Sequence, residues 1–233
     1  HALTMIDRAP AKCINHVIKS DDSSAVNFLT TGEDEDIIAF LNQISEVSGF
    51  KNSNIFYEKC FLLVEGEGEE NALPILYKKY TDRSLIEDGV ILINLQTNGQ
   101  WSNALKFLNV NKKDSTVLFL DKDTQYPDSN SRVTQEKLEE IGFDGAYLSS
   151  NCFFIGTKEF EDVFSNSQYT NLCNNYFPKH DGSEWEEENF FEIRGHDKFS
   201  ESLKIMLSRN CRKSIGKPEI SFKIANFITK DEL

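Results

Sequence analysis

The chain has 233 residues, of which 39% are hydrophobic, so it is long enough to bury a sizeable core. Its 25 basic and 38 acidic residues give a net charge of −13. This charge excludes a protein that attracts nucleic acid by its net field alone. It is compatible with a nuclease whose carboxylates hold metal ions, or with a chain whose basic surface lies on another part or partner.

Cysteine usage predicts a reducing, cytoplasmic location. The five cysteines are odd in number and form no CxxC pair, so a disulfide scaffold is not expected.

No apolar run approaches the roughly twenty residues of a membrane helix, and no signal peptide is recognisable. The ending Lys230-Asp231-Glu232-Leu233 spells an ER retention signal, which we interpret as chance. The start at His1 favours a fragment of a longer chain.

The first sixty residues are predicted to connect two domains. Cys13 to Ile18 indicates a strand, and residues 1–20 have the character of the end of a preceding domain. The polar, acidic stretch 21–34 is typical of a linker. Apolar residues at helical spacing predict an amphipathic helix from Asp34 to Val47, and residues 52–59 complete the connector.

Strands and helices then alternate for about a hundred residues. This alternation predicts an α/β fold, with a mostly parallel sheet covered by helices on both faces. The predicted strands are 61–65, 90–94, 116–120 and 152–155, and the predicted helices between them are 69–80, 101–108 and 133–141. The stretch 165–195 is rich in asparagine, acids and aromatics, and we predict an irregular insert near 165–205. Helices are predicted from Phe199 to Leu207 and from Glu219 to Ile228.

Acidic residues follow two of the predicted strands. Glu65 ends the run Phe61-Leu62-Leu63-Val64, and Glu69 follows it at the start of a helix. Ligand sites of open α/β sheets lie at the carboxyl ends of the strands. The alternative is a set of ordinary first-turn acids favoured by the helix dipole, which fits Glu67, Glu69 and Glu70 better than Glu65.

The second acidic strand end is Asp121-Lys122-Asp123, directly after an apolar strand. The i, i+2 spacing lets both carboxylates approach one cation, and hard oxygen ligands suit Mg²⁺ or Mn²⁺. A solvated turn is the alternative for this motif alone. An EF-hand is excluded because Tyr126 occupies the position that needs glycine.

Together these motifs resemble a Toprim domain, the metal-binding fold shared by topoisomerases, bacterial primases and several nucleases. Within that group the chain is most similar to the OLD (overcoming lysogenization defect) family, which joins an ABC-type ATPase to a C-terminal Toprim nuclease. Val64-Glu65-Gly66 with Glu69 resembles its first motif. The segment from Gly156 to Asp162 resembles its later acidic motif, with Glu161 the better match and Glu159 the alternative. Gly216-Lys217-Pro218 resembles its late lysine motif.

The resemblance implies a domain organisation: residues 1–20 end the ATPase domain, 21–59 form the linker and connector, and 60–233 form the nuclease domain. It implies a metal-dependent DNA endonuclease whose catalytic residues are Glu65, Asp121, Asp123 and Lys217. The implied metal ligands, for Mg²⁺ or Mn²⁺, are Glu65, Glu69, Asp121, Asp123 and Glu161. His1 would be the switch histidine that contacts the γ-phosphate of ATP.

The resemblance also implies partners. These are DNA, the chain's own upstream ATPase domain and a second copy in a homodimer or higher oligomer, with no membrane. It further implies a role in anti-phage defence, as in Gabija and retron systems, with a defence partner protein or retron nucleic acid.

Two alternatives stay open. The domain could be of the topoisomerase or primase type, although no nucleophilic tyrosine or zinc module is recognisable. It could also be a catalytically silent oligomerisation or regulatory module of the ATPase. Lys217 itself has an alternative explanation, because Gly-Lys-Pro is a common way to enter a helix.

Overall fold

The computed structural model describes residues 2–9, 13–19, 23–28, 51–54, 58–194, 198–211 and 214–233. The predicted helix from Asp34 to Val47 lies outside these residues, as does His1. No helix in the described ranges is long and apolar enough to cross a membrane.

The chain begins with a short helix and an antiparallel pair of strands. Helix α1 spans Ala2–Arg8, strand β1 spans Asn15–Lys19 and strand β2 spans Ser24–Phe28, with Val17 opposite Val26. β2 corrects the sequence prediction, which assigned 21–34 to a linker. The short run that begins at Ser24 alternates apolar Val26 and Phe28 with polar Asn27, which is a strand pattern.

A four-stranded parallel sheet with helices around it confirms the predicted α/β fold. Its spatial order is β4-β3-β5-β6. The strands are β3 (Cys60–Val64), β4 (Val90–Asn94), β5 (Thr116–Asp121) and β6 (Cys152–Ile155). β3 pairs in parallel with both β4 and β5, so that Val64 lies opposite Asn94 on one side and Phe119 on the other.

The remaining helices alternate with these strands and then follow them. They are α2 (Glu67–Thr81), α3 (Trp101–Lys112), α4 (Gln135–Glu140), α5 (Tyr147–Asn151), α6 (Asn166–Tyr176), α7 (Glu187–Arg194), α8 (Phe199–Asn210) and α9 (Lys217–Phe227). The predicted helices correspond to α2, α3, α4, α8 and α9, with bounds that differ by a few residues, whereas α5, α6 and α7 were not predicted. The chain divides into two compact units.

The first unit comprises His1–Glu65, Ile86–Phe119 and Asn130–Phe153. Its core is strand β3 with helix α3 against it, and Phe61, Leu63 and Val64 are all fully buried. This apolar strand is what holds Glu65, the next residue, at its carboxyl end.

The second unit comprises Gly66–Leu85, Leu120–Ser129 and Phe154–Leu233. Helices α2 and α9 pack against each other although about 150 residues separate them. The buried residues in the first half of α2 include two small ones, Gly68 and Ala72. Tyr80, in the last turn of this helix, is 69% exposed.

Much of the segment 165–205, which the sequence analysis describes as an irregular insert, is helical. It contains α6, α7 and the first half of α8. Ser165 caps α6 in a capping box with Gln168. The rings of Tyr169, Phe190 and Phe199 then form an aromatic core, with Tyr169 stacked on Phe190 at 5.9 Å between centroids.

Candidate metal centre

Three acidic side chains converge at the carboxyl ends of β3 and β5. Glu65 follows β3 directly, Asp121 is the last residue of β5, and Asp123 lies in the short 3₁₀ turn Lys122–Gln125. One carboxylate oxygen from each lies within 4.8 Å of the other two. Within the described residues this is the only group of three acid, histidine or cysteine side chains spaced to share a metal ion.

The loop after β6 holds the two aspartates in place. The backbone N–H of Phe160 donates to Oδ1 of Asp121 at 2.8 Å, and Asp121 is 3% exposed. The N–H of Asp123 donates to the carbonyl oxygen of Lys158, also at 2.8 Å. Gly156 makes this loop possible, because it has φ +76° and a Cβ there would lie 1.9 Å from the Glu159 carbonyl oxygen.

The carboxylate of Asp123 is suited to act as a ligand of a cation. Its Oδ2 lies 3.1 Å from Nζ of Lys198. Its Oδ1 is buried and makes no hydrogen bond to any described residue. A buried carboxylate oxygen is costly without a partner, and a divalent cation would satisfy it. The oxygen-only donor set of the cluster suits Mg²⁺ or Mn²⁺.

Lys217 lies beside two buried carboxylates. Its Nζ is 2.9 Å from Oε2 of Glu161 and 3.7 Å from Oε2 of Glu159, and both glutamates are 1% exposed. Ser221, one turn further along α9, places its hydroxyl 3.0 Å from Oε1 of Glu161. Lys217 and Ser221, one turn apart on α9, therefore both contact the carboxylate of Glu161.

The charges of this group shift its pKa values. Burial raises the pKa of Glu161 above the usual value for glutamate, although the Lys217 ammonium opposes this change. Burial alone lowers the pKa of Lys217, but Glu161, Asp121 and Glu69 together raise it above the usual value for lysine. Lys217 is thus a permanent cation at neutral pH.

Glu69 is 1% exposed and belongs to the first turn of α2. The preceding residue is closely packed, because a Cβ on Gly68 would lie 2.8 Å from Oε1 of Glu161 and 3.2 Å from Cε of Lys217. The alternative of an ordinary solvated first-turn acid fits Glu67 and Glu70 better than Glu69, since full burial is unusual for such a residue.

The structure thus groups most of the predicted site residues. Glu65, Asp121 and Asp123 form one cluster, and Glu161 is paired with Lys217. Their catalytic and ligand roles stay predictions, as does that of His1, which lies outside the described residues. Sequence reasoning missed Ser221 and Lys198. A serine on the apolar side of α9 could have drawn attention, but nothing near Lys198 in the sequence points to Asp123.

Comparison with known proteins agrees with this arrangement. Residues 56–123 match the family model of the TOPRIM domain of overcoming lysogenization defect protein-like proteins. A comparison with curated protein sequences finds no match. An acidic cluster on these strand ends within a TOPRIM domain is typical of metal-dependent enzymes that act on nucleic acids.

Two solved structures show the same fold. The C-terminal region of the Burkholderia pseudomallei OLD protein has a TM-score of 0.53 at 14% identity, and the match covers 76% of this chain and 92% of that one. The C-terminal region of the Xanthomonas campestris pv. campestris OLD protein has a TM-score of 0.53 at 16% identity, over 76% and 90%. The class defined by the fold and the cluster is therefore the TOPRIM domain. Within this class, residues 56–123 match the OLD-like type of TOPRIM domain.

Proposed function

We propose that this chain is the metal-dependent DNA endonuclease part of an OLD-like ATPase, and that it hydrolyses phosphodiester bonds by a one- or two-metal mechanism. The observation that carries the proposal is the convergence of Glu65, Asp121 and Asp123 within 4.8 Å. Such clustering of carboxylates is electrostatically unfavourable without a cation, so a divalent ion is the partner that the arrangement favours.

Glu65, Asp121 and Asp123 would hold Mg²⁺ or Mn²⁺, with Glu69 and Glu161 as further ligands. A bound divalent ion supplies Lewis-acid charge at a phosphate and favours hydroxide over water. The hydrogen bond from Phe160 to Asp121 fixes the orientation of that carboxylate before any ion binds. Pre-orientation of this kind limits the reorganisation that a reaction would require.

Lys217 would stabilise the negative charge that develops on the scissile phosphate. Its raised pKa keeps the ammonium protonated through the neutral range. About a third of its side chain is exposed, so the ammonium is accessible from solvent while Glu161 holds it. Arrangement of a fixed cation near a site of developing charge is a common source of transition-state stabilisation.

The wider context is part of the proposal. An ATPase domain upstream would gate the nuclease, with His1 at its ATP γ-phosphate, and the protein would act as a dimer or higher oligomer in anti-phage defence. A defence partner protein or retron nucleic acid would then supply the trigger. These features are supported by the likeness to OLD-like proteins rather than by contacts in this chain.

Plasmid cleavage tests the proposal. The protein, together with its ATPase domain, is incubated with plasmid and Mg²⁺ or Mn²⁺, and compared with Glu65→Ala and Asp121→Ala. We expect each variant to lose about a hundredfold or more in rate, because a ligand of the catalytic ion is removed. Glu187→Gln, an exposed acid on α7, is the matched control and should cut like the wild type.

Metal affinity gives a second readout. Titration with Mn²⁺ followed by calorimetry should show weaker binding in Glu65→Ala and Asp121→Ala and unchanged binding in Glu187→Gln. If the wild type cuts plasmid no better than the two alanine variants, the nuclease proposal is wrong, and a silent regulatory module becomes the better description.

A further inference from the structure

A second lysine lies at the acidic cluster, in the part of the chain that no motif covers. Nζ of Lys198 is 3.1 Å from Oδ2 of Asp123, and the side chain of Lys198 is 51% exposed whereas that of Asp123 is 19% exposed. An ion pair with this much solvent around it is weak, so it can be exchanged for another partner.

The backbone next to Lys198 is firmly anchored. Phe199 is 1% exposed and packs on Tyr169, with 5.1 Å between ring centroids. Ser200 donates its backbone N–H to Oε1 of Glu159 and its hydroxyl to Oε2 of Glu159, the latter at 2.6 Å. The main chain at Lys198 is therefore held beside Asp123, while its flexible four-carbon side chain is half exposed to solvent.

We propose that Lys198 is an exchangeable cation for this site: it neutralises Asp123 before a metal ion binds, and afterwards contacts a backbone phosphate of the nucleic acid. The inference rests on the proposed function. A divalent ion on Asp123 would compete for the same carboxylate and repel the ammonium. The displaced ammonium can move no further than the length of the Lys198 side chain. Within that distance, the nearest anion of a bound nucleic acid would be a backbone phosphate at the site.

Lys217 does not share this behaviour. Its partners Glu161 and Glu159 are each 1% exposed, and Glu161 also accepts a hydrogen bond from the hydroxyl of Ser221. The two lysines thus differ in mobility: Lys217 is a fixed cation and Lys198 is an exchangeable one.

Metal affinity tests the first half of the exchange. Mn²⁺ binding is measured by calorimetry on the full chain without nucleic acid, in the wild type, Lys198→Ala, Lys204→Ala and Asp123→Ala. We expect Lys198→Ala to bind Mn²⁺ about two- to fivefold more tightly, because a weak competing cation is gone. Lys204→Ala, an exposed lysine on the same helix α8, should bind like the wild type. Equal affinity in wild type and Lys198→Ala would overturn the inference.

Nucleic-acid binding tests the second half. The affinity for a short DNA duplex is measured against salt concentration, once with Ca²⁺ as a hard divalent ion and once with EDTA. With Ca²⁺, the slope of log K against log salt should be shallower by about one unit in Lys198→Ala than in the wild type, as for one lost phosphate contact. With EDTA the two slopes should agree, since Lys198 is then occupied by Asp123. Equal slopes under both conditions, or the same difference under both, would contradict the exchange.

The Asp123→Ala variant separates the two proposals. Unchanged Mn²⁺ affinity in that variant would refute the proposed metal site, and with it the proposed function. Weakened Mn²⁺ binding in Asp123→Ala, together with no effect of Lys198→Ala, would leave the metal site intact and refute only the role of Lys198.

Discussion

Nζ of Lys217 lies 2.9 Å from Oε2 of Glu161, and the glutamate is shielded almost completely from solvent. This pair joins the start of α9 to the loop after β6. It therefore stabilises the contact between these two elements, as well as being part of the candidate site. Its loss should therefore be visible in stability, independently of any activity.

Replacement of Lys217 by methionine should lower the free energy of unfolding by about 2–3 kcal/mol, somewhat below the figure for a fully buried pair because the lysine is partly exposed. The cause is that Glu161 and Glu159 would keep their burial but lose their cation. Urea unfolding in EDTA measures the change. The double variant Lys217→Met with Glu161→Gln should recover part of the loss, and Lys204→Met should cost little. A loss no greater than that of Lys204→Met would contradict this stabilising role of the pair.

The same pair predicts an alkaline limit to stability. The folded pKa of Lys217 is raised, so the folded state keeps its proton at pH values where the unfolded chain loses it. Its contribution is thus complete below the ordinary lysine pKa of about 10.4 and is lost as pH rises above it. Unfolding measured from pH 8 to 11 should show a steeper decline for the wild type than for Lys217→Met. Parallel curves would show that the pair does not contribute.

Gly68→Ala should destabilise the protein, although alanine is the better helix former. The new Cβ would lie 2.8 Å from Oε1 of Glu161. Overpacking of this kind costs about 1–3 kcal/mol, and the middle of this range outweighs the gain of about 1 kcal/mol in helix propensity. Gly66→Ala is the matched control, because its nearest neighbour would be Oε2 of Glu69 at an ordinary 3.7 Å. The melting temperature of Gly66→Ala should be higher than that of Gly68→Ala. The reverse order would show that the protein relieves the contact at no cost in stability.

Mn²⁺ should stabilise the folded protein. At a free concentration of about 100 times the dissociation constant, the gain is about 2.7 kcal/mol for one site. For a chain of this size that corresponds to a rise in melting temperature of roughly 5–10 °C. Asp121→Asn, which retains an acceptor for the Phe160 N–H, should lose most of the rise, and Glu187→Gln should keep it. An equal rise in all three proteins would indicate that the ion binds elsewhere.

The cysteines should differ widely in reactivity. Burial raises the pKa of Cys152 to about 12, so at pH 8 about one molecule in ten thousand carries the thiolate there. Cys13 is exposed. Iodoacetamide at pH 8, followed by mass spectrometry of peptides, should label Cys13 in minutes and leave Cys152 unmodified until the protein is unfolded. Early labelling of Cys152 in the folded protein would contradict its burial.

The strands of the sheet and the residues at their ends were predictable from the sequence, because each rests on a local pattern. Phe61 to Val64 is an uninterrupted apolar run, and an acid directly after such a run must lie at the strand end. Parallel pairing then brings Glu65 near Asp121 without any further information.

Other features depend on long-range packing and were not predictable in the same way. The helix α6 carries many polar residues, and its prediction failed although Ser165 and Gln168 have the spacing of a capping box. The buried carboxylate of Glu159 accepts a hydrogen bond from Ser200, which lies 41 positions further along the chain. No local sequence pattern around either residue indicates this contact. The pairing of Lys198 with Asp123 depends on that contact, so it too required the structure.

The packing of α2 against α9 has a consequence for biosynthesis. Glu69, Asp121 and Glu161 leave the ribosome before Lys217, which lies in α9. A nascent chain therefore carries its acidic residues for a long stretch of translation before the lysine that neutralises Glu161 is made. During this interval Glu161 lacks its lysine partner, and burial of its charged carboxylate is unfavourable. The candidate centre can therefore form completely only after residue 217 has been made, so a product truncated before α9 would hold the carboxylates without this cation.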